Sequence, residues 1–194
     1  MYIMKTENKI IKCFIEDNQP KTIREIAKKI DADYKITHTA VQKLIAKKVI
    51  LIQTVGKSSL CSLNNQHYSG EIYLAENERK ENILKNSDIK AYYKEIMAKT
   101  DTSLFICLLF GSYAKGKQRK HSDIDLMFIS NEKDFEERIS NILRLLPVET
   151  HILVFSEEEF IRMKDAKKPN VVQEAIRNNI ILYGIESYYR LKNA

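Results

Sequence analysis

The sequence predicts an α+β protein in which helices and a β-hairpin come first and a β-sheet follows. Apolar residues recur at helical spacing through residues 5–48, and two short strand patterns then flank Gly56. Further along, residues 104–110 and 126–129 form two apolar runs of strand length on either side of a polar, basic segment. With 194 residues, the chain can form one large domain or two small ones.

Three helices are predicted before residue 49, at about residues 5–16, 22–30 and 34–48. The second begins with a capping box formed by Thr22 and Glu25, two side chains that satisfy backbone N–H groups reciprocally. In the third, Val41 and Leu44 mark the inward face. The short turns between these helices are typical of a helix-turn-helix.

A β-hairpin is predicted next, with strands at residues 49–55 and 59–63 around the turn Gly56-Lys57-Ser58. The first third of the chain also carries the whole excess of positive charge. Residues 1–64 hold 12 Lys and Arg against 6 Asp and Glu, whereas the remainder holds 20 of each. This asymmetry suggests that the N-terminal part meets a polyanion.

Three helices followed by a hairpin resemble the winged-helix domain of small prokaryotic regulators. The resemblance implies DNA or RNA as a partner, with polar residues of the third helix at the bases or phosphates and Lys57 reaching the backbone or minor groove. The helix residues implied are Thr37, Thr39, Gln42, Lys43 and Lys47. Such a domain can instead mediate dimerisation or protein contact, and since winged helices often dimerise, a homodimer is one assembly to expect.

The domain organisation predicted is a winged helix at 1–64, a helical connector at 65–100 and a third region at 101–194. The connector is charged and is interpreted as one or two helices with a break near Asn86-Ser87. Its last helix can pack on the C-terminal sheet, so the border can fall anywhere between residues 64 and 101.

The elements that follow residue 130 alternate between helix and apolar segments. We expect a helix at 131–146, a strand at 148–155, a helix from a capping box at Ser156, a helix at 170–179, an apolar segment at 180–183 and a last helix at 185–192.

The basic segment between the two apolar runs ends in a pair of carboxylates, Asp123 and Asp125. Side chains two apart in a strand point to the same face, where two negative charges repel unless a cation lies between them. Mg²⁺ is the ion that such oxygen ligands favour. A calcium loop is the alternative, but Ile124, Leu126 and Phe128 alternate as a strand and do not supply its oxygen ligands.

The same segment opens with Gly111-Ser112 at a predicted strand end, where backbone N–H groups and a hydroxyl are accessible to a phosphate. Positive charge follows at Lys115, Lys117, Arg119 and Lys120. Alone, the Gly-Ser pair would be an ordinary turn and the charges a solvated surface. Together with the acidic pair, they indicate a site for a metal-bound polyphosphate.

Gly111-Ser112 followed by Ser122-Asp123-Ile124-Asp125-Leu126 resembles the signature of the nucleotidyltransferases of the DNA polymerase beta superfamily, especially the minimal group. The resemblance covers roughly residues 104–184. It implies a mixed sheet with helices on one side, a Mg²⁺ site of one or two ions, and an NTP substrate, with ATP expected. It further implies that Gly111, Ser112 and the lysines at 115, 117 and 120 bind the nucleotide.

Family members place a third acidic residue on a neighbouring strand, facing the first two. The resemblance implies Glu149 in this role, as a metal ligand or as the group that takes the proton of the attacking hydroxyl. His151 shares its face and can join the site. The acceptor is not encoded in a motif: related small enzymes modify a protein hydroxyl, as on a toxin of the HEPN type, or RNA, or an antibiotic.

Composition excludes some classes. The longest apolar run is too short to span a bilayer and no secretory leader is recognisable, so we expect a cytoplasmic protein without a membrane partner. Cys13, Cys61 and Cys107 lack metal-ligand spacing. An alternative function is a DNA-binding regulator or antitoxin whose second domain senses nucleotide or is inactive.

Overall fold

The computed structural model describes residues 5–56, 58–64, 66, 68–120 and 122–194. Contacts within the chain divide it into an N-terminal unit, Met1–Asn77, and a C-terminal unit, Glu78–Ala194. This division falls inside the predicted connector, 65–100. None of the helices among the described residues is long and apolar enough to cross a membrane.

The N-terminal unit begins with three helices and a two-stranded antiparallel sheet. These elements are α1 (Thr6–Glu16), α2 (Ile23–Lys29), α3 (Tyr34–Ala46), β1 (Ile50–Val55) and β2 (Ser58–Leu63). The capping box predicted at Thr22 and Glu25 is confirmed at the start of α2, and Asp33 caps α3 by accepting from two backbone N–H groups. A further helix, α4 (Gly70–Ile83), spans the division between the units.

The core of the N-terminal unit is formed by apolar side chains from all three helices. Ile10 and Phe14 of α1, Ile26 of α2 and Leu44 of α3 are fully buried. Just before α2, Lys21 and Cys61 exchange two backbone hydrogen bonds of 2.9 and 2.8 Å. This bridge connects the chain before α2 to the hairpin.

The C-terminal unit is built on a four-stranded mixed sheet of order β5-β4-β3-β6. The strands are β3 (Ile106–Phe110), β4 (Ile124–Ile129), β5 (Thr150–Phe155) and β6 (Ile180–Tyr183). β4 and β5 are parallel, whereas β3 is antiparallel to both β4 and β6. The apolar segment expected at 180–183 is thus an edge strand.

Helices lie between and beyond these strands. They are α5 (Ser87–Lys99), α6 (Gly111–Ala114), α7 (Phe135–Leu143), α8 (Glu157–Lys164), α9 (Val171–Arg177) and α10 (Ile185–Asn193). The break predicted near Asn86-Ser87 is confirmed, since Asn86 caps the start of α5. The helix expected at 131–146 is shorter than predicted, because Asp134 adopts a left-handed conformation before α7.

Helices cover both faces of the sheet, so the expectation of helices on one side is wrong. Cys107, Leu109 and Leu126 belong to a core with α5 and α7, whereas the alternate residues Leu108 and Met127 are equally buried. α9 and α10 lie against β3, and α8 against β5, outside that core. β3 and β4 are formed by two unbroken apolar runs, a pattern that is typical of strands buried on both faces.

Candidate active site

Gly111 forms the junction between β3 and the one-turn helix α6. Its φ is +66°, a conformation that L side chains rarely adopt. A Cβ atom at this position would stand 1.9 Å from Oδ2 of Asp125. Only glycine therefore lets the backbone run this close to the carboxylate. The half-buried Ser112 follows in α6.

The acidic pair lies at the start of β4. Asp123 immediately precedes the strand and is exposed, Ile124 is fully buried, and the side chain of Asp125 is 24% exposed. Asp123 precedes the strand, and its negative charge contributes to the pKa of Asp125, so the two carboxylates lie near each other. That both point to one face of β4 stays a prediction from the alternation of strand side chains.

The pKa of Asp125 is raised above its ordinary value. Burial is the main cause, and the negative charges of Asp123 and Glu174 add to the effect, while a hydrogen bond from His151 opposes it. The protein therefore destabilises the charged form of this carboxylate. A cation bound at the pair would relieve that cost.

His151 lies beside Asp125 on the neighbouring strand. The two residues are partners in the parallel register of β4 and β5, and Nδ1 of His151 is 3.5 Å from Oδ1 of Asp125. The imidazole is 60% exposed. β5 thus brings a histidine, not an acid, to the position next to Asp125.

Glu149, the predicted third acid, immediately precedes β5 and is exposed. Its carbonyl oxygen accepts a hydrogen bond of 2.9 Å from the N–H of Ile124. The residue also lines a surface depression with Leu143 and Pro147. Within the described parts of the chain, no three His, Cys, Asp or Glu side chains form a group that could hold a metal ion as they stand. A catalytic role for Glu149 stays a prediction.

The basic segment folds back on α6. The N–H of Lys117 donates to the carbonyl oxygen of Ser112 at 2.9 Å, and the hydroxyl of Ser122 accepts from the N–H of Arg119 at 2.7 Å. Lys117 and Lys120 are exposed. These two hydrogen bonds fix the backbone of the basic segment to α6 at one end and to Ser122, the residue before Asp123, at the other. His121, also in this segment, lies outside the described residues.

Glu174 of α9 is a site residue that the sequence did not indicate. Its Oε1 is 2.9 Å from Nζ of Lys115, and its charge contributes to the raised pKa of Asp125. The two residues of the ion pair are 59 positions apart. No local pattern marks such a pair, because it depends on how α9 packs against the sheet.

The residues predicted to bind nucleic acid differ in their exposure to solvent. Thr37 is fully buried and its hydroxyl donates to the carbonyl oxygen of Asp33 at 2.8 Å, so its predicted contact with DNA is wrong. Thr37 shares the apolar face of α3 with Ala40, Val41 and Leu44 at helical spacing, and its polarity alone suggested exposure. Lys57 lies outside the described residues.

Four of the predicted residues are exposed on α3 or directly after it. These are Thr39, Gln42, Lys43 and Lys47. The two lysines already have partners, since Nζ of Lys43 is 3.5 Å from Glu7 and Nζ of Lys47 is 2.5 Å from Glu71. The N-terminal turn of α3 exposes further side chains that were not among the predicted residues, namely Tyr34, Lys35 and Ile36.

Comparison with known proteins identifies a family for the C-terminal unit. Residues 92–188 match the family model described as "Polymerase beta, Nucleotidyltransferase". That range contains all four strands of the mixed sheet, together with Gly111 and both aspartates. No curated protein matches the chain. The family match covers half of the 194 residues, and the chain therefore belongs to the polymerase beta nucleotidyltransferase family.

Proposed function

We propose that the protein is a divalent-metal-dependent enzyme that transfers a nucleoside monophosphate from an NTP, with ATP as the expected donor, to a hydroxyl of an acceptor. The observation that carries this proposal is the close approach of Gly111 to Asp125. It places accessible backbone at a strand end directly beside a pair of neighbouring carboxylates, which suits a triphosphate bound together with a cation.

The donor set at the pair fits a divalent ion. Asp123 and Asp125 offer carboxylate oxygens on one side of β4, and Mg²⁺ is the ion that two carboxylates favour. A bound ion would supply positive charge at the phosphates and offset charge on the α-phosphate during attack. A second ion is expected only if Glu149 joins the site.

The remaining site residues would hold the triphosphate. N–H groups of Gly111 and Ser112 and the Ser112 hydroxyl are suited to the β- and γ-phosphates. Lys117 and Lys120 can approach the same phosphates from the exposed side of the loop, whereas Lys115 must first leave Glu174. These cations would balance the charge of the departing pyrophosphate.

In the proposed reaction, the acceptor oxygen attacks the α-phosphorus and forms an O–P bond. The bond from that phosphorus to the oxygen bridging the α- and β-phosphates breaks, and pyrophosphate leaves. The acceptor proton passes to a carboxylate of the site or to water, and Glu149 is the predicted carboxylate. The acceptor is a protein hydroxyl, RNA or a small molecule.

Labelling tests this proposal. Purified protein, a divalent ion and each NTP labelled at the α-phosphate are incubated with a lysate, and modified proteins and RNAs are identified by mass spectrometry. The double variant Asp123→Ala, Asp125→Ala should abolish labelling. Asp165→Ala, which removes an exposed acid after α8, is the matched control. Equal labelling by the double variant would refute the site.

For the N-terminal unit, we propose a winged helix that binds nucleic acid. Support comes from the order of its elements, the exposed residues of α3, the excess of basic residues, and the isolated β-bridge between Lys21 and Cys61 of the hairpin. Electrophoretic shifts over a salt series test the proposal, since binding through phosphates must weaken as salt rises. Absence of any shift at low salt would contradict it.

A second candidate function has one observation in its favour. Because β5 presents His151 to Asp125 and the described acids form no three-ligand group, the C-terminal unit can serve as a nucleotide sensor in a DNA-binding regulator or antitoxin. Such a protein would bind NTP and alter its nucleic-acid affinity without forming pyrophosphate. Release of pyrophosphate distinguishes the two functions.

A further inference from the structure

The side chain next to Asp125 on the neighbouring strand is an imidazole. The register of β4 and β5 pairs Asp125 with His151, and in a parallel pair such partners point to the same face. The six residues of β5 are Thr-His-Ile-Leu-Val-Phe, so the donor that the strand itself places beside Asp125 is nitrogen. The acid Glu149 lies one residue before β5, where its carbonyl oxygen accepts from the N–H of Ile124.

The distance between the two side chains suits two ligands of one ion. Nδ1 of His151 and Oδ1 of Asp125 are 3.5 Å apart. Ligand atoms that each lie about 2.0–2.2 Å from a shared ion are separated by roughly 3–3.5 Å. A cation can therefore bridge these two atoms with small side-chain rotations.

Asp123 is the third donor to consider. It immediately precedes β4, two residues before Asp125, and its side chain is exposed. As they stand, the described donors do not form a closed group, but exposed side chains change rotamer within nanoseconds. Glu174 adds further negative charge from α9, although its carboxylate is bound to Lys115.

We propose that His151 is a metal ligand together with Asp123 and Asp125, and that the site selects a first-row transition-metal ion over Mg²⁺. Imidazole nitrogen suits such ions, whereas Mg²⁺ prefers an all-oxygen shell. This inference rests on the proposed function and specifies the class of metal ion that the site binds. A transition-metal ion would take the place of the Mg²⁺ that two carboxylates alone would favour.

Calorimetric titration of the full chain, stripped with a chelator and free of nucleotide, tests the proposal with Co²⁺ and Mg²⁺ as probes. Wild type should bind Co²⁺ more tightly than Mg²⁺. His151→Ala should weaken Co²⁺ binding at least about tenfold and Mg²⁺ binding far less. His151→Asp should reduce the preference for Co²⁺ over Mg²⁺, because it supplies an oxygen ligand in place of nitrogen. Circular dichroism checks that each variant is folded.

His38→Ala is the matched control, because His38 is an exposed histidine of α3 in the N-terminal unit. It should leave both affinities unchanged. Co²⁺ binding that is the same in His151→Ala and wild type overturns the proposal, as does an equal loss of both ions. The readout is also separable from the proposed reaction. His151-dependent Co²⁺ binding in a protein that labels nothing supports this inference and counts against the transfer.

Discussion

Gly111 and Asp125 approach each other so closely that a Cβ atom on residue 111 would stand 1.9 Å from the carboxylate oxygen Oδ2. Gly111 follows Phe110, the last residue of β3, and Phe110 is the pairing partner of Asp125 in β4. This proximity joins the candidate phosphate-binding backbone to the candidate metal ligand. Changes at residue 111 should therefore act through the carboxylate.

We predict that Gly111→Ala disables the site with a modest loss of stability. The positive φ alone strains an alanine by about 1 kcal/mol, and the new methyl group must also displace the carboxylate of Asp125, which adds to that loss. A displacement of about 1 Å at a reacting centre costs on the order of 100-fold in rate. Nucleotide labelling and urea unfolding measure the two effects.

Gly116→Ala is the control for that prediction. Gly116 has a similar φ of +62°, but a Cβ atom there would meet nothing within 4 Å. We expect a loss of about 1 kcal/mol from the positive φ alone and nearly normal labelling. If both variants lose labelling equally, the close approach to Asp125 is not what the site requires.

Thr37→Val should lower stability and leave nucleic-acid binding intact. Valine fills the same buried space but cannot donate to the carbonyl oxygen of Asp33, which costs about 1 kcal/mol. Gln42→Ala, at an exposed position of α3, should show the reverse. Denaturant unfolding and electrophoretic shifts distinguish the two. Weakened nucleic-acid binding by folded Thr37→Val would contradict the assignment of faces.

Removing the partners of the α3 lysines should strengthen nucleic-acid binding. In the double variant Glu7→Gln, Glu71→Gln, Lys43 and Lys47 lose their ion pairs and become available to phosphates. Every additional phosphate that a lysine neutralises steepens the salt dependence of binding by about one. The double variant Glu16→Gln, Asp31→Asn removes two other exposed acids of the same unit and controls for net charge. An equal effect of this control would exclude a specific role of the two pairs.

Asp17 should make the stability of the protein depend on acidic pH. Hydrogen bonds from Lys29 and then Lys21 lower the pKa of its carboxyl to about 2, below the value of 3.8 expected in the unfolded chain. The folded state therefore gains stability from Asp17 above about pH 4 and loses it as the pH falls from 3.8 towards 2.

Comparison of wild type with Asp17→Asn measures that contribution. The variant should be less stable at neutral pH, by an amount that solvent screening limits because the side chain of Asp17 is 41% exposed. The difference in unfolding free energy should shrink as the pH falls below about 4. A difference that stays constant or grows towards low pH would show that the ion pairs are not its source.

Local signals were sufficient to predict β1 to β5 and the central motif, whereas β6 was expected only as an apolar segment. The apolar runs, Gly111 at a strand end, and the spacing of Asp123 and Asp125 are properties of neighbouring residues, and the structure places them as expected. Capping boxes likewise marked the starts of α2 and α8 correctly. Such features can be predicted from neighbouring residues without knowledge of long-range contacts.

The remaining features of the site depend on pairing between distant segments. His151 reaches Asp125 through the register of two parallel strands, and Glu174 reaches Lys115 through the packing of α9. The resemblance implied Glu149 as the third acid, whereas the register aligns Asp125 with His151, two residues further along on the same face. Which residue of β5 lies opposite Asp125 depends on the pairing register, and neighbouring residues alone do not determine it.

Release of pyrophosphate from α-labelled NTP, with the label recovered on an acceptor, tests nucleotidyl transfer most directly. Wild type with a divalent ion should yield pyrophosphate and labelled acceptor in equal amounts, and the Asp123→Ala, Asp125→Ala variant should yield neither product. Binding of NTP without pyrophosphate under every ion and acceptor preparation would contradict nucleotidyl transfer. It would identify the C-terminal unit as a nucleotide sensor.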